Sequence, residues 1–164
     1  MIEYRKIDIT DKDNLKNLID IVLNGLERKE FFIPFTEEEI DMMFDSSIAI
    51  TYGAYDHNKL VGTAQLYLSE NYVSEIKKIL ELKNSKVAEL GGALALEEYR
   101  NKGIIKNLLS ILIEEAKDKN YDYLVATVHP ENIASNKAAL STNAKIVKTV
   151  NLGEYLRNIY LLEI

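Results

Sequence analysis

The residues of this chain best placed to do chemistry lie between Val87 and Leu109. Glu89 is the one carboxylate in an otherwise small and apolar run, Val87 to Leu96, which also holds the pair Gly91-Gly92. Such a run reads as a strand covered on both faces, and glycines inside it mark a bulge or a close approach of backbone. Burial raises the pKa of a carboxyl group toward the range in which it accepts protons near neutrality. Position alone leaves a second reading of Glu89, half exposed at the start of the strand and paired with a lysine.

The next residues, Glu97 to Gly103, are charged, polar or glycine apart from Tyr99. From Ile104 onward, apolar positions recur as Ile105, Leu108, Leu109, Leu112, Ile113 and Ala116, which is one helix stripe. The chain is therefore expected to turn at Arg100-Asn101-Lys102-Gly103 straight into a helix. The first amides of that helix have no internal partner and can point at an anion. Gly103 offers no side chain to block the approach. Arg100, Lys102 and Lys106 place cations where the helix dipole favours negative charge, and an anionic ligand would remove that conflict.

At these residues the chain resembles the GNAT superfamily of acyl-CoA-dependent N-acyltransferases. The family's pyrophosphate loop reads Gln/Arg-x-x-Gly-x-Gly/Ala between its fourth strand and the following helix. Arg100 and Gly103 match, and Asn101, Lys102, Ile104 and Lys106 fall within or beside the loop; Ile105 stands where the family has a small residue. A second motif, Asn-x-x-Ala/Ser followed by a helix, matches at Asn132 and Ser135. The resemblance implies that Arg100 to Lys106 hold the pyrophosphate of acetyl-CoA and that Asn132 and Ser135 lie along the pantetheine arm. It also implies that Leu94 and Leu96 offer backbone hydrogen bonds to acetyl and pantetheine. Asn132 also suits a plain N-cap. The tyrosine that many members use as general acid falls on Ala139. A glutamate on the fourth strand is common in the family, which makes Glu89 the expected base for the acceptor amine.

Composition narrows the alternatives. With 164 residues, 47% of them hydrophobic, the chain reads as one domain, 1–164, with its own core. It has no cysteine and only two histidines, so no disulfide, thiolate metal site or cysteine nucleophile is available, and no metal is expected. No apolar run approaches bilayer length, and Glu3-Tyr4-Arg5-Lys6 follows the start at once. A soluble, cytoplasmic protein without membrane contact is expected. Residues 1–50 carry 6 Lys/Arg against 12 Asp/Glu, the remainder 14 against 14. That acidity disfavours nucleic acid. It reads either as a solvated face or as attraction for a cationic amine.

The elements that must position these residues follow in order. Ile2 to Ile9 alternates as a strand, and Thr10-x-x-Asp13 reads as the cap of a helix carrying Leu15, Leu18, Ile19, Val22, Leu23 and Leu26. Thr36-x-x-Glu39 reads as a capping box opening a shorter helix. Residues 48–55 and 60–68 flank Asp56-His57-Asn58-Lys59 as a hairpin. Ser69 to Asn84 has helical spacing and would be an inserted helix, either lining the acceptor side or covering a sheet edge. Tyr123 to Val128, a short helix ending near Asn143, and a last pair of strands complete a mixed α/β pattern. The resemblance implies a twisted, mostly antiparallel sheet of about seven strands flanked by helices and splayed between strands four and five.

Glu97 and Glu98 read as solvated turn residues, and His129, before Pro130, as a second and weaker base. Three readings are compatible with the sequence: an N-acetyltransferase acting on a small-molecule or peptide amine, an acyl-CoA-binding or sensing module with little transfer, and a structural or interaction domain that keeps the fold without the cofactor. Homodimers formed through strands occur in the family.

Overall fold

The computed structural model describes residues 1–164. Seven strands form one sheet: β1 (Ile2–Lys6), β2 (Ala49–Asp56), β3 (Lys59–Tyr67), β4 (Val87–Ala95), β5 (Tyr123–Val128), β6 (Lys145–Leu152) and β7 (Tyr155–Glu163). Their order is β1-β2-β3-β4-β5-β7-β6. All pairs are antiparallel except β4 with β5. That parallel ladder holds only Val87, Ala88 and Glu89 against Tyr123, Leu124 and Val125. Beyond it the strands part, as the resemblance implied.

Five α-helices pack on the sheet: α1 (Lys12–Asn24), α2 (Glu37–Met42), α3 (Glu70–Ile79), α4 (Ile104–Asp118) and α5 (Ile133–Leu140). The main core gathers Leu15, Leu18 and Val22 of α1 with Leu66, Ala88 and Leu90 of the sheet and Leu108 and Leu112 of α4. The inserted helix α3 does not sit at an edge. Its Val73 and Ile76 pack with Val87 of β4, Val125 of β5 and Ile159 of β7, bridging the junction between the two halves of the sheet. No helix is long and apolar enough to cross a membrane.

Local chemistry sets several boundaries. The capping box at α2 is complete, with Thr36 Oγ1 accepting from the Glu39 amide and Glu39 Oε1 from the Thr36 amide. At α1 the expected cap is absent. Asp8 Oδ1 captures the Thr10 amide (2.9 Å) and winds residues 9–11 into a short 3-10 turn. The strand therefore stops at Lys6, and α1 starts without a side-chain cap. The β2–β3 turn is two residues rather than four. His57 and Asn58 both have positive φ, 48° and 66°, as a type I′ turn requires, and Asp56 pairs with Lys59.

Directly opposite residues share a sheet face, so Ala49, Tyr67, Glu89, Val125 and Leu161 form one row across five strands. Gln65 lies opposite Gly91 and Thr63 opposite Leu94, which leaves Gly92 and Ala93 together against Ala64. This is a β-bulge in β4. Gly92 has φ +60°, and a Cβ there would lie 1.6 Å from Gln65 Oε1. Gln65 is fully buried and hydrogen-bonded to Thr63 Oγ1 at 3.0 Å, so it has no room to yield. Gly92→Ala is expected to lose about 2–5 kcal/mol, from left-handed strain plus overpacking, in urea unfolding. A variant as stable as the parent would show that the bulge relaxes freely.

Candidate active site and cofactor loop

The turn after β4 is pinned before it reaches the helix. The Tyr99 hydroxyl donates to Asp56 Oδ2 at the end of β2, and the Lys102 ammonium lies 5.2 Å over the Tyr99 ring. Asn101 and Gly103 take positive φ, 62° and 77°. Asn tolerates that region and Gly enters it freely. Open space surrounds the position where Gly103 would carry a Cβ.

None of the six amides from Asn101 to Lys106 donates to a backbone carbonyl, and the helix has no side-chain cap. An ordinary helix start leaves four such donors. The first turn of α4 carries no acidic residue, while Arg100, Lys102 and Lys106 are all exposed beside it. The loop is thus a concave set of N–H donors with surrounding positive charge, which fits a phosphate group. The Ile104 side chain is core, only 2% exposed. Ile105 also packs against the main core. Both residues therefore turn only their backbone toward the loop's open side, and a branched residue at 105 leaves the amides free.

Strand β4 leads from this loop to Glu89. The start of α4 lies against the end of β4, since Ile104 Cγ2 is 2.9 Å from where Gly62 would carry a Cβ and Gly62 pairs with Ala95. From Ala95 back to Glu89 is about 20 Å at about 3.3 Å per residue. Glu89 is half-buried. Its carboxyl is pushed up to about 8 by burial, with no hydrogen bond or nearby charge acting on it. The lysine partner that would have made it a surface residue is absent. Opposite it, Tyr67 is 6% exposed and stacks on Tyr72 of α3, ring centroids 4.4 Å apart. Burial, and then the Glu89 charge, hold the Tyr67 phenol well above its usual pKa. Burial and the charges of Glu39 and Glu89 do the same to Tyr72.

The Leu96 amide donates to Val61 O (2.9 Å) and its carbonyl accepts from the Tyr99 amide (2.9 Å), so its N–H is taken and its carbonyl oxygen keeps one lone pair. Alternation along an antiparallel ladder turns the Leu94 amide toward β3 as well, since Leu94 stands opposite Thr63. The groups that face the splayed side are those of Ala93 and Ala95. The side chains of Leu94 and Leu96 are core, each 5% exposed.

At the far wall, Asn132 is the N-cap of α5, with Oδ1 accepting from the Ser135 amide at 3.2 Å. Its side-chain NH2 has no protein partner, and Ser135 is half-buried beside it. Asn136, which carried no sequence signal, is the hub of this corner. Its Nδ2 donates to His129 O (2.9 Å) and Asn132 O (2.8 Å), and its Oδ1 accepts from Tyr160 OH (2.6 Å) and Asn158 Nδ2 (3.1 Å). The ring of His129 is 7% exposed and leans on Phe31, and its Nδ1 accepts from the Glu131 amide at 3.1 Å. That ring holds a turn together.

The sequence profile of the Acetyltransferase (GNAT) family matches residues 22–140, well over half of the chain. The chain belongs to the GNAT acetyltransferase family. Among solved structures, an N-acetyltransferase from Staphylococcus aureus Mu50 is similar at 20% identity over 99% of this chain and 98% of that one, TM-score 0.75. The PaiA N-acetyltransferase from Thermoplasma acidophilum, solved in complex with coenzyme A, is similar at 18% identity over 100% and 99%, TM-score 0.68. A chain of the NatC complex bound to Gag peptide and CoA is similar at 17% identity over 99% and 98%, TM-score 0.77. At these identities the likeness is one of fold. A search of curated protein sequences returns no significant match.

As a GNAT acetyltransferase the protein is an acyltransferase that uses acetyl-CoA as co-substrate. The free amides of Asn101 to Lys106, with three cations beside them, fit the phosphates of that molecule. The same charges strain the ligand-free helix, which gives a test of opposite signs. Lys106→Glu is expected to stabilise the ligand-free protein by about 0.3–1 kcal/mol at low ionic strength, through the helix dipole. It is expected to weaken CoA binding, measured by calorimetric titration. Movement of both quantities in the same direction would refute the assignment.

Proposed function

We propose that the chain, as a single acetyltransferase domain over residues 1–164, transfers acetyl from acetyl-CoA to a primary amine. The acceptor is a small molecule or a peptide, and the amine attacks the thioester directly while both substrates are bound. The observation that carries this reading is Glu89, a half-buried carboxylate with no counter-ion at the place where β4 and β5 part. Peptide binding by the NatC complex supports a peptide as one form of acceptor in this fold.

The chain's residues divide the work. Asn101 to Lys106 hold phosphate, Asn132 and Ser135 border the pantetheine arm, and backbone N–H groups of β4 meet the carbonyl oxygen as charge develops on it. Glu89 takes the proton of the incoming ammonium, the new C–N bond forms as the C–S bond breaks, the sulfur leaves with its electron pair, and the nitrogen's second proton passes to that thiolate through water. Tyr72 of α3, half-buried and stacked on Tyr67 beside Glu89, supplies an aromatic ring for a cationic group. The excess of acid in the first fifty residues supplies attraction at longer range.

A thermal melt with acetyl-CoA, CoA and ATP is the direct test of binding. At a hundredfold excess over Kd, acetyl-CoA and CoA should each add about 2.7 kcal/mol, or about 5–10 °C for a chain of this length, and ATP should not. Absence of a shift with either CoA species would end this reading. For the base, kcat/KM should rise with pH through about 8 as Glu89 ionises. Glu89→Gln should lower it about 10²–10⁴-fold and remove that limb, leaving only the acceptor amine's own titration. A Glu89→Gln variant that keeps both rate and profile would remove Glu89 as the base, whereas wild type that binds acetyl-CoA but transfers no acetyl to any amine would favour a binding module, the reading to which the buried Ala139 in place of a tyrosine lends support.

A further inference from the structure

The bulge in β4 has a roof. Above Gly92, on the face that carries Glu89, the space where a side chain would stand holds Gln65 Oε1 and, 3.2 Å away, Phe35 Cζ. Above Gly91 the same space meets Tyr67 Cε2 at 3.1 Å. Two of these three side chains are fixed. Gln65 is fully buried and bonded to Thr63, and Tyr67 is buried and stacked on Tyr72. Phe35 is different: it is half-buried, comes from the segment before α2, and makes only apolar contacts, among them an edge-to-face contact with Phe32 at 5.3 Å.

Its backbone is nevertheless held. Thr36, the next residue, is the N-cap of α2 with both bonds of its capping box in place. Phe35 and Ile40 occupy the positions of a hydrophobic staple, and both belong to the main core. The ring tip over Gly92 is therefore set by two local devices and does not hang from a loose loop.

We infer that Phe35 closes the acyl end of the site, so that the protein accepts the two-carbon acyl group and rejects a four-carbon one. This rests on the acetyl-CoA reading above, in which backbone N–H groups of β4 meet the thioester carbonyl, and it puts the acyl group beside the bulge, past the point where β4 and β5 part. An acyl chain longer by two methylenes must push into Phe35, Gln65 or Tyr67. Overpacking of that kind commonly costs enough for a binding ratio of about tenfold or more. Phe35 is the one wall whose removal breaks no hydrogen bond.

The test is calorimetric titration of wild type, Phe35→Leu and Phe35→Ala with CoA, acetyl-CoA, propionyl-CoA and butyryl-CoA, which needs no acceptor. Phe35→Leu keeps an apolar residue for the staple and withdraws only the ring tip, and melts of both variants check that they are folded. Wild type is expected to bind butyryl-CoA about tenfold or more weakly than acetyl-CoA, with propionyl-CoA between them. Phe35→Leu should reduce that ratio to about threefold and Phe35→Ala should remove it. Equal binding of acetyl- and butyryl-CoA by wild type, or an unchanged ratio in both variants, overturns the inference and leaves the acetyl-CoA reading standing. Failure of wild type to bind CoA or any acyl-CoA overturns that reading, and this inference with it.

Discussion

Three residue pairs of parallel ladder, Val87 to Glu89 against Tyr123 to Val125, are the whole seam between the two halves of the sheet. Past Glu89, strand β4 is paired with no residue of β5, and its backbone groups there need other partners. A short seam also has to be braced. Helix α3 does this, packing Val73 and Ile76 across β4, β5 and β7. The insertion between β3 and β4 is thus a strap over the opening. Because it lies there, its Tyr72 also reaches the surroundings of Glu89. Bracing the seam and bringing Tyr72 to Glu89 are done by one helix.

The second dependence is electrostatic. A helix start with six unpaired amides, no acid and three neighbouring cations is unfavourable in isolation, because cations and the positive helix end repel. Stability alone would favour Ser or Asp at the cap and Glu in the first turn. The sequence spends that opportunity elsewhere: α2 carries a full capping box and three acids, Glu37, Glu38 and Glu39, in its first turn. The start of α4 has the donors and charge that suit an external anion, and α2 has the acids and cap that suit an unliganded helix.

These two features were unequally legible in the sequence. The loop could be read because its signals are local: a glycine needed for backbone approach, cations within a turn, and an apolar stripe starting at once. The capping box at Thr36 and the left-handed Asn143, φ 73°, were readable for the same reason. Thr10 was misread because two side chains competed for one amide, and Asp8 won it. Which neighbour the Leu96 amide faces is not legible in the sequence, because it depends on the bulge at Gly92 and on Val61, thirty-five positions earlier. Asn136, Gln65 and Phe35 were invisible as site residues. Each matters through contacts with distant segments, and none sits in a spacing pattern. The apolar residues Ile133 and Leu140 of α5 are 82% and 54% exposed; the helix buries Ala139 and is held at its start by Asn132 and Asn136.

The loss of the usual tyrosine follows from the same corner and from the size of the proton-transfer costs. Ala139 packs against Tyr160, whose hydroxyl is already given to Asn136, so a large side chain at 139 would collide with the ring that anchors α5. An acid there would protonate a departing thiolate. A thiol with pKa of roughly 8.5 leaves as thiolate about 2 kcal/mol uphill at pH 7, whereas deprotonating an alkylammonium with pKa of roughly 10.4 costs about 4.6 kcal/mol. The larger barrier lies on the amine side. On the proposed reading, a chain without that acid but with an unpaired, half-buried carboxylate at Glu89 keeps the group that addresses the larger of the two costs. This ordering is what makes the proposed role of Glu89 compatible with catalysis in the absence of a phenol at position 139.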